Sequence, residues 1–203
     1  MKHFLLFFIL IFTCAAVRAA EQTVDTAAYA KFAVVQTISS DFTIEKRLSI
    51  AQKPLISAGH FYFERPGFLR WEYNKPFAHG IILDGGKALS WRGGAKAGSK
   101  KEIKDISAEP WAKAVARQVY MFVAMDVKEI SARYNIAPFE NGLTLQPKDN
   151  SALQAVEKIN LYFNAEGDAV KKVEMLDKSG DSTIIIFSAT KLNEPIPQSA
   201  REP

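Results

Sequence analysis

Apolar and polar residues alternate through much of this chain, the period of a strand with one face buried. From Ile38 onward Phe42, Ile44, Lys46, Leu48 and Ile50 fall on one parity, opposed by Asp41, Thr43, Glu45, Arg47 and Ser49, and this predicts a long half-buried strand. Lys53-Pro54-Leu55-Ile56 turns the chain into two runs, Gly59 to Glu64 and Phe68 to Tyr73, on either side of Arg65-Pro66-Gly67. Proline sets one backbone angle and glycine permits angles closed to other residues, so the two runs form an antiparallel hairpin. Asn74-Lys75-Pro76 and Asp84-Gly85-Gly86 punctuate further short strands at Gly80–Leu83 and Ala88–Trp91. The last third alternates again at Gly142–Pro147, Ile159–Asn164, Val170–Leu176 and Thr183–Phe187, with turns at Asn164–Asp168 and Asp177–Asp181.

Two stretches carry a helical period instead. Asp25 or Thr26 is placed to cap a short helix through Tyr29, Phe32 and Ala33 toward Gln36. The longer one runs from Trp111 to about Met125 behind Glu109-Pro110, with Trp111, Ala114, Val115, Val119, Phe122, Val123 and Met125 on one broad apolar face. Between strands and helix, residues 92–104 hold four lysines and three glycines and read as a mobile basic loop. A curled sheet buries one face only if something covers it, so the expected fold class is mainly β (α+β): one large, strongly curled antiparallel sheet with helices in its concavity.

Strand parity sorts the residues of that concavity. In the hairpin Phe61, Phe63 and Arg65 share one face of the first strand, and Leu69, Trp71 and Tyr73 share one face of the second. The predicted apolar face therefore includes Phe42, Phe61, Phe63, Leu69, Trp71 and Trp91, with Val115 and Phe122 opposite on the covering helix. Arg65 is the exception on this face. A guanidinium there is either hydrogen-bonded within the protein or held at the rim with its stem on the core and its head in water.

Charge and composition narrow the setting. Met1-Lys2-His3, the apolar run Phe4–Phe12 and the small-residue site Val17-Arg18-Ala19 have the order of a secretory signal, so residues 1–19 are expected to be cleaved and the product exported. The apolar run falls short of the roughly 20 residues that a membrane helix needs. Cys14 is the one cysteine, so the mature chain, about 183 residues, is expected to lack disulfide and thiol chemistry. That length suits a single domain, 20–203, acting as a monomer. The net charge is +4, and Lys2 and Arg18 supply two of those charges, so the nearly neutral remainder gives no case for a nucleic-acid partner. His60 and His79 are the only histidines past the signal, and no HExxH, GxSxG or cysteine cluster accompanies them, so neither a metal, a cofactor nor hydrolase chemistry is expected.

Several fragments, taken in order, resemble the LolA-type outer-membrane lipoprotein carriers: Phe42-Thr43-Ile44-Glu45-Lys46, Ser57-Ala58-Gly59, Arg65-Pro66 with Leu69-Arg70-Trp71, Asp84-Gly85 followed by Trp91, and Leu143 to Lys148. The resemblance runs from about Thr26 to Asn193. It implies an incomplete antiparallel β-barrel whose apolar concave face is covered by helices, and a carrier of the acyl chains of lipoproteins or other lipids between an inner-membrane donor and an outer-membrane acceptor. It also implies that Arg65 stands where the family arginine latches the covering helix, and that Leu69 matches an apolar family position on the next strand. The chain departs from the family at Glu45, where glutamine is common, and in lacking a phenylalanine-rich last strand after Pro195-Ile196-Pro197. The alternative is a lipid-sensing regulatory module, which an added partner-binding domain would mark; a periplasmic enzyme is the more distant one.

Overall fold

The computed structural model describes residues 29–94, 100–148 and 156–203, without the side chains of residues 111, 113, 115 and 116. The expected export signal, the caps at Asp25 and Thr26 and the Val115 side chain lie outside the described residues.

Eleven strands form one antiparallel sheet that does not close on itself. A meander comes first: β1 (Thr37–Arg47), β2 (Leu55–Glu64), β3 (Phe68–Lys75), β4 (His79–Asp84), β5 (Lys87–Gly93) and β6 (Lys101–Asp105). Two helices follow, α2 (Pro110–Val123) and α3 (Val127–Arg133), after the single-turn α1 (Ala30–Ala33) at the start of the described chain. A second meander, β7 (Tyr134–Phe139), β8 (Gly142–Pro147), β9 (Val156–Phe163), β10 (Val170–Asp177) and β11 (Ser182–Leu192), returns to pair its last strand with β1. Neighbouring strands are joined locally except at that seam, where Ile38 faces Leu192 and Arg47 faces Ser182. The sheet edges are β6 and β7.

Three local expectations are corrected. The basic loop ends in a strand: Lys101 to Asp105 pairs with β5, with Ile103 opposite Trp91. All five of its residues are exposed, so it has no apolar face to announce it, and its charges suit an unpaired edge. The second correction is the helical region, which continues past Met125 into α3. Met125 takes φ +47° and breaks the helix, and Asp126 caps the next one by accepting the Glu129 N–H at 3.0 Å. Third, the alternation that runs to Ile50 outlasts β1, which ends at Arg47, and Ile50 is 94% exposed in the turn beyond it.

The concave face carries two packed clusters. One joins Leu143, Leu145, Ile159, Leu161 and Val173 of β8–β10 to Phe32, Met121, Ile130 and Tyr134. The other joins Ile38, Phe42, Phe61, Phe63 and Leu69 of β1–β3 to Val35 and Ala124, with Val119, Tyr120 and Val123 of α2 against them. Thus α2 lies in the concavity between the two arms of the sheet. The convex face of β3–β5 has its own cover: Phe68, Ile82 and Trp91 pack with Ile196 of the tail. Arg70 holds that tail by donating to the Ala200 and Glu202 carbonyls, and Arg201 of the 3-10 turn Gln198–Arg201 pairs with Glu64.

Candidate functional site: an apolar cavity under a tethered helix

The β1–β3 arm is built around a stack of rings. Phe42 and Phe61 lie against Trp71 at centroid distances of 4.4 and 5.3 Å, and Tyr73 meets Phe42 edge-on at 5.2 Å. The stack depends on a missing side chain, because Phe42 pairs across the ladder with Gly59. A Cβ on Gly59 would stand 2.7 Å from the Phe42 ring and 1.8 Å from the Glu72 carbonyl. Phe187 closes the stack from β11 at 5.3 Å from Phe61.

Beside the stack and beneath α2 is a cavity of about 580 Å³, within the range of about 300–1,000 Å³ usual for ligand sites. Its roof is Val119, Phe122 and Val123 of α2, and its floor runs from Trp71 and Ile44 through Ile185 and Phe187 to Val173 and Met175. Tyr73 also lines it, and burial holds that phenol above its ordinary pKa, so it is neutral at pH 7. The polar lining, His79, Ser90, Arg92, Lys104 and Gln118, comes from the β4–β6 side and from α2.

Arg65 joins the sheet to the helices. From the β2–β3 connection its Nε donates to the Val35 carbonyl at 2.8 Å, and its Nη2 donates to the Phe32 and Ala124 carbonyls at 3.2 and 2.9 Å. Its backbone N–H donates to Gln36. Ala124 caps the C-terminal end of α2, where the helix dipole places partial negative charge and the last C=O groups lack intrahelical donors, and Phe32 and Val35 offer their carbonyls in and just after the single-turn α1. One cation thus satisfies acceptors from two helices, leaving no unpaired guanidinium on the apolar face.

Of the residues expected on the concave face, Trp71 and Phe122 line the cavity. Phe42, Phe61, Phe63 and Leu69 stand on the same face but are at most 4% exposed, packed behind the cavity wall and against α2. Trp91 is corrected. It borders the cavity, yet its indole lies on the convex side: Trp91 pairs with Gly80 and Gly80 with Glu72, whereas Trp71 pairs with Ile81. The ring lies over Gly80, where a Cβ would meet it at 2.4 Å, and Arg70 covers it at 4.6 Å. The strand Gly80–Leu83 is apolar on both faces, so alternation alone could not assign the register. The sequence reading also missed Ile185, Phe187, Val173 and Met175, whose β strands were legible while their meeting with β1–β3 was not.

His60 turns outward, opposite Phe61. Its Nδ1 lies 2.7 Å from an Asp41 carboxylate oxygen and its Nε2 2.9 Å from the Ser39 hydroxyl. The order of bonds matches that of acyl-transfer triads. Here all three residues lie along the convex side of β1 and β2, interior strands paired on both edges, which is a ladder surface rather than a cleft.

An open antiparallel half-barrel with a helix laid over an apolar cavity defines a class of proteins that enclose apolar ligands. The particular family follows from comparison: residues 33–200 match the family described as "Outer membrane lipoprotein carrier protein LolA", and the chain belongs to that family. A relative from Pseudomonas fluorescens strain Pf0-1, named "Outer-membrane lipoprotein carrier protein", is 26% identical over 147 residues, covering 70% of this chain and 66% of its own length. One of the same name from Methylococcus capsulatus is 27% identical over 161 residues, covering 75% and 70%. Among solved structures, the crystal structure of MucB superposes with TM-score 0.51 at 12% identity, covering 88% of this chain and 62% of that one. A chain of the Pseudomonas aeruginosa MucA/MucB complex does so with TM-score 0.50 at 14% identity, covering 87% and 59%.

Proposed function

We propose that this chain is a periplasmic carrier, a single domain at residues 20–203 behind an export signal at 1–19, that holds the acyl chains of a lipoprotein or other lipid beneath α2. It would take them from an inner-membrane donor and release them to an outer-membrane acceptor. The observation that carries the reading is the apolar cavity roofed by a helix whose end is tethered through one arginine. Each buried methylene contributes about 0.8 kcal/mol, so a long chain leaves a membrane only for an apolar cavity of this kind. Release needs a competing closed state, which the packing of Val119, Tyr120 and Val123 on the β1–β3 arm supplies.

In this reading Phe42, Phe61, Phe63 and Leu69, covered in the closed state, become additional acyl-contacting surface when α2 moves, and Trp71 and Phe122 contact cargo in both states. Arg65 is the latch. Native mass spectrometry of the protein purified from its own periplasm tests the reading: co-purifying acylated lipid or lipoprotein is the expected result, and a ligand-free protein that also fails to take up a fluorescent fatty acid overturns it.

A further inference from the structure

The cavity is not apolar throughout, and the charged residues that line it, Arg92 and Lys104, share a sign. His79, Ser90, Arg92 and Lys104 line its β4–β6 side and Gln118 faces them from α2, and among the described residues no carboxylate lines it. Strand register accounts for the cluster. His79 pairs with Arg92 and Ser90 with Lys104, so the two cations occupy adjacent rows on the concave side, continuous with Tyr73 and Trp71. His79 stacks on Tyr73 at 4.4 Å and donates Nδ1–H to the Phe77 carbonyl at 2.9 Å, and its Nε2 has no hydrogen-bond partner among the described residues.

Charge at an edge strand guards against pairing with another chain, and that accounts for Lys101, Glu102 and Lys104. It does not account for Arg92, which stands on an interior strand. Among the described residues the Arg92 side chain makes no hydrogen bond or ion pair; Glu102 is opposite it in register without closing one. Lys104 has only the 3.4 Å contact to Glu109, with its side chain 68% exposed. Two cations at the mouth of an apolar cavity, one of them unpartnered, complement an amphiphile whose polar end is negative.

We propose that the β4–β6 mouth is a binding site for the anionic headgroup, phosphate or carboxylate, of an amphiphile whose chain lies under α2, with Arg92 and Lys104 as its charge partners. The inference rests on the carrier reading and adds a preference to it. A neutral chain should bind, and an anionic one should bind better.

The test is displacement of a fluorescent fatty acid by four probes: a long-chain fatty acid, an alkyl phosphate, a fatty alcohol of the same chain length, and inorganic phosphate. The two anionic amphiphiles should outcompete the alcohol by roughly five- to thirty-fold at low salt, the upper range for two partly exposed charge pairs. The ratio should shrink in about 1 M salt, where screening acts within a few ångströms. Arg92→Gln with Lys104→Gln should bring it near one, with circular dichroism confirming the fold. Equal binding of alcohol and anionic amphiphiles by the parent overturns the headgroup site and leaves the carrier reading standing. Failure of every chain-bearing probe overturns both. Inorganic phosphate binding as tightly as the alkyl phosphate also overturns the inference, since the site would then belong to a free anion.

Discussion

The two arms of the sheet present the same kind of face to α2 and use it differently. On the β7–β10 arm the inward residues are mostly aliphatic, with Tyr134 and Phe163 the aromatic exceptions, and Leu143, Leu145, Ile159 and Leu161 are fully buried under α1, α3 and the Met121 side of α2. On the β1–β3 arm they are aromatic, and Trp71 and Tyr73 keep part of their surface open to the cavity. The first arm is packed against the helices by shape along β8 and β9, while its Ile159, Val170, Val173 and Met175 also reach the cavity. The second is held by packing plus Arg65, whose bonds are directional and whose loss would free two helix ends at once. Branched aliphatic chains interdigitate to fixed density, whereas stacked rings leave flat surfaces along which a chain can lie. One arm therefore anchors the helical layer, and the other can part from it.

The largest effect expected from this contrast is on stability. Leu161→Ala removes a fully buried side chain from the β7–β10 arm and should cost about 2–5 kcal/mol, read from chemical denaturation, with uptake of a fluorescent fatty acid by the folded fraction little changed. A cost below 1 kcal/mol would make the two arms equivalent. Leu69→Glu, which parity alone recommends as a probe of the apolar face, would bury a carboxylate at a site 4% exposed and so tests folding as much as binding.

Met175→Trp is the cleaner probe of binding. Met175 lines the cavity floor, and the larger ring should weaken fatty-acid uptake about tenfold, as expected for a chain losing on the order of two buried methylenes, while the denaturation midpoint moves little. Undiminished uptake would move the ligand out of this cavity. Arg65→Leu should act on the helical cover: uptake at least equal to the parent, and slower transfer from loaded protein to acceptor liposomes, because the closed state loses bonds worth about 2–3 kcal/mol. Unchanged uptake and transfer would make Arg65 a structural tie only.

The smallest effect lies on the outer surface of the β7–β10 arm. Glu174 accepts from the Tyr162 hydroxyl at 2.6 Å and from Lys172 at 2.9 Å, and these bonds, the tyrosine's first, hold its carboxyl below the ordinary glutamate value. A depressed folded-state pKa adds stability above the unfolded-state value that is lost as pH falls through the folded one. Between pH 5 and pH 3 the parent should therefore lose more stability than Glu174→Gln, by a margin visible as a modest difference in melting temperature. Identical acid profiles would remove Glu174 from the account.

Much of the architecture was legible because it is local. The hairpin around Arg65-Pro66-Gly67, the later meander and the apolar face of α2 each follow from periodicity and turn residues within about twenty positions, and Arg65 was visible as the one charge on the hairpin's apolar parity. What the sequence by itself determined is thus the strands, most of their inward residues and the residue that needed acceptors. The tertiary structure decided where those acceptors are, at the ends of α1 and α2, and which residues face the cavity. It also decided that β11 closes on β1 to bring Ile185 and Phe187 beside Trp71, and that Trp91 turns to the convex side over Gly80. The physical reason is that alternation specifies two faces of a strand but not which neighbour it pairs with or in what register. Those are fixed by packing between residues far apart in the chain, which no local pattern records.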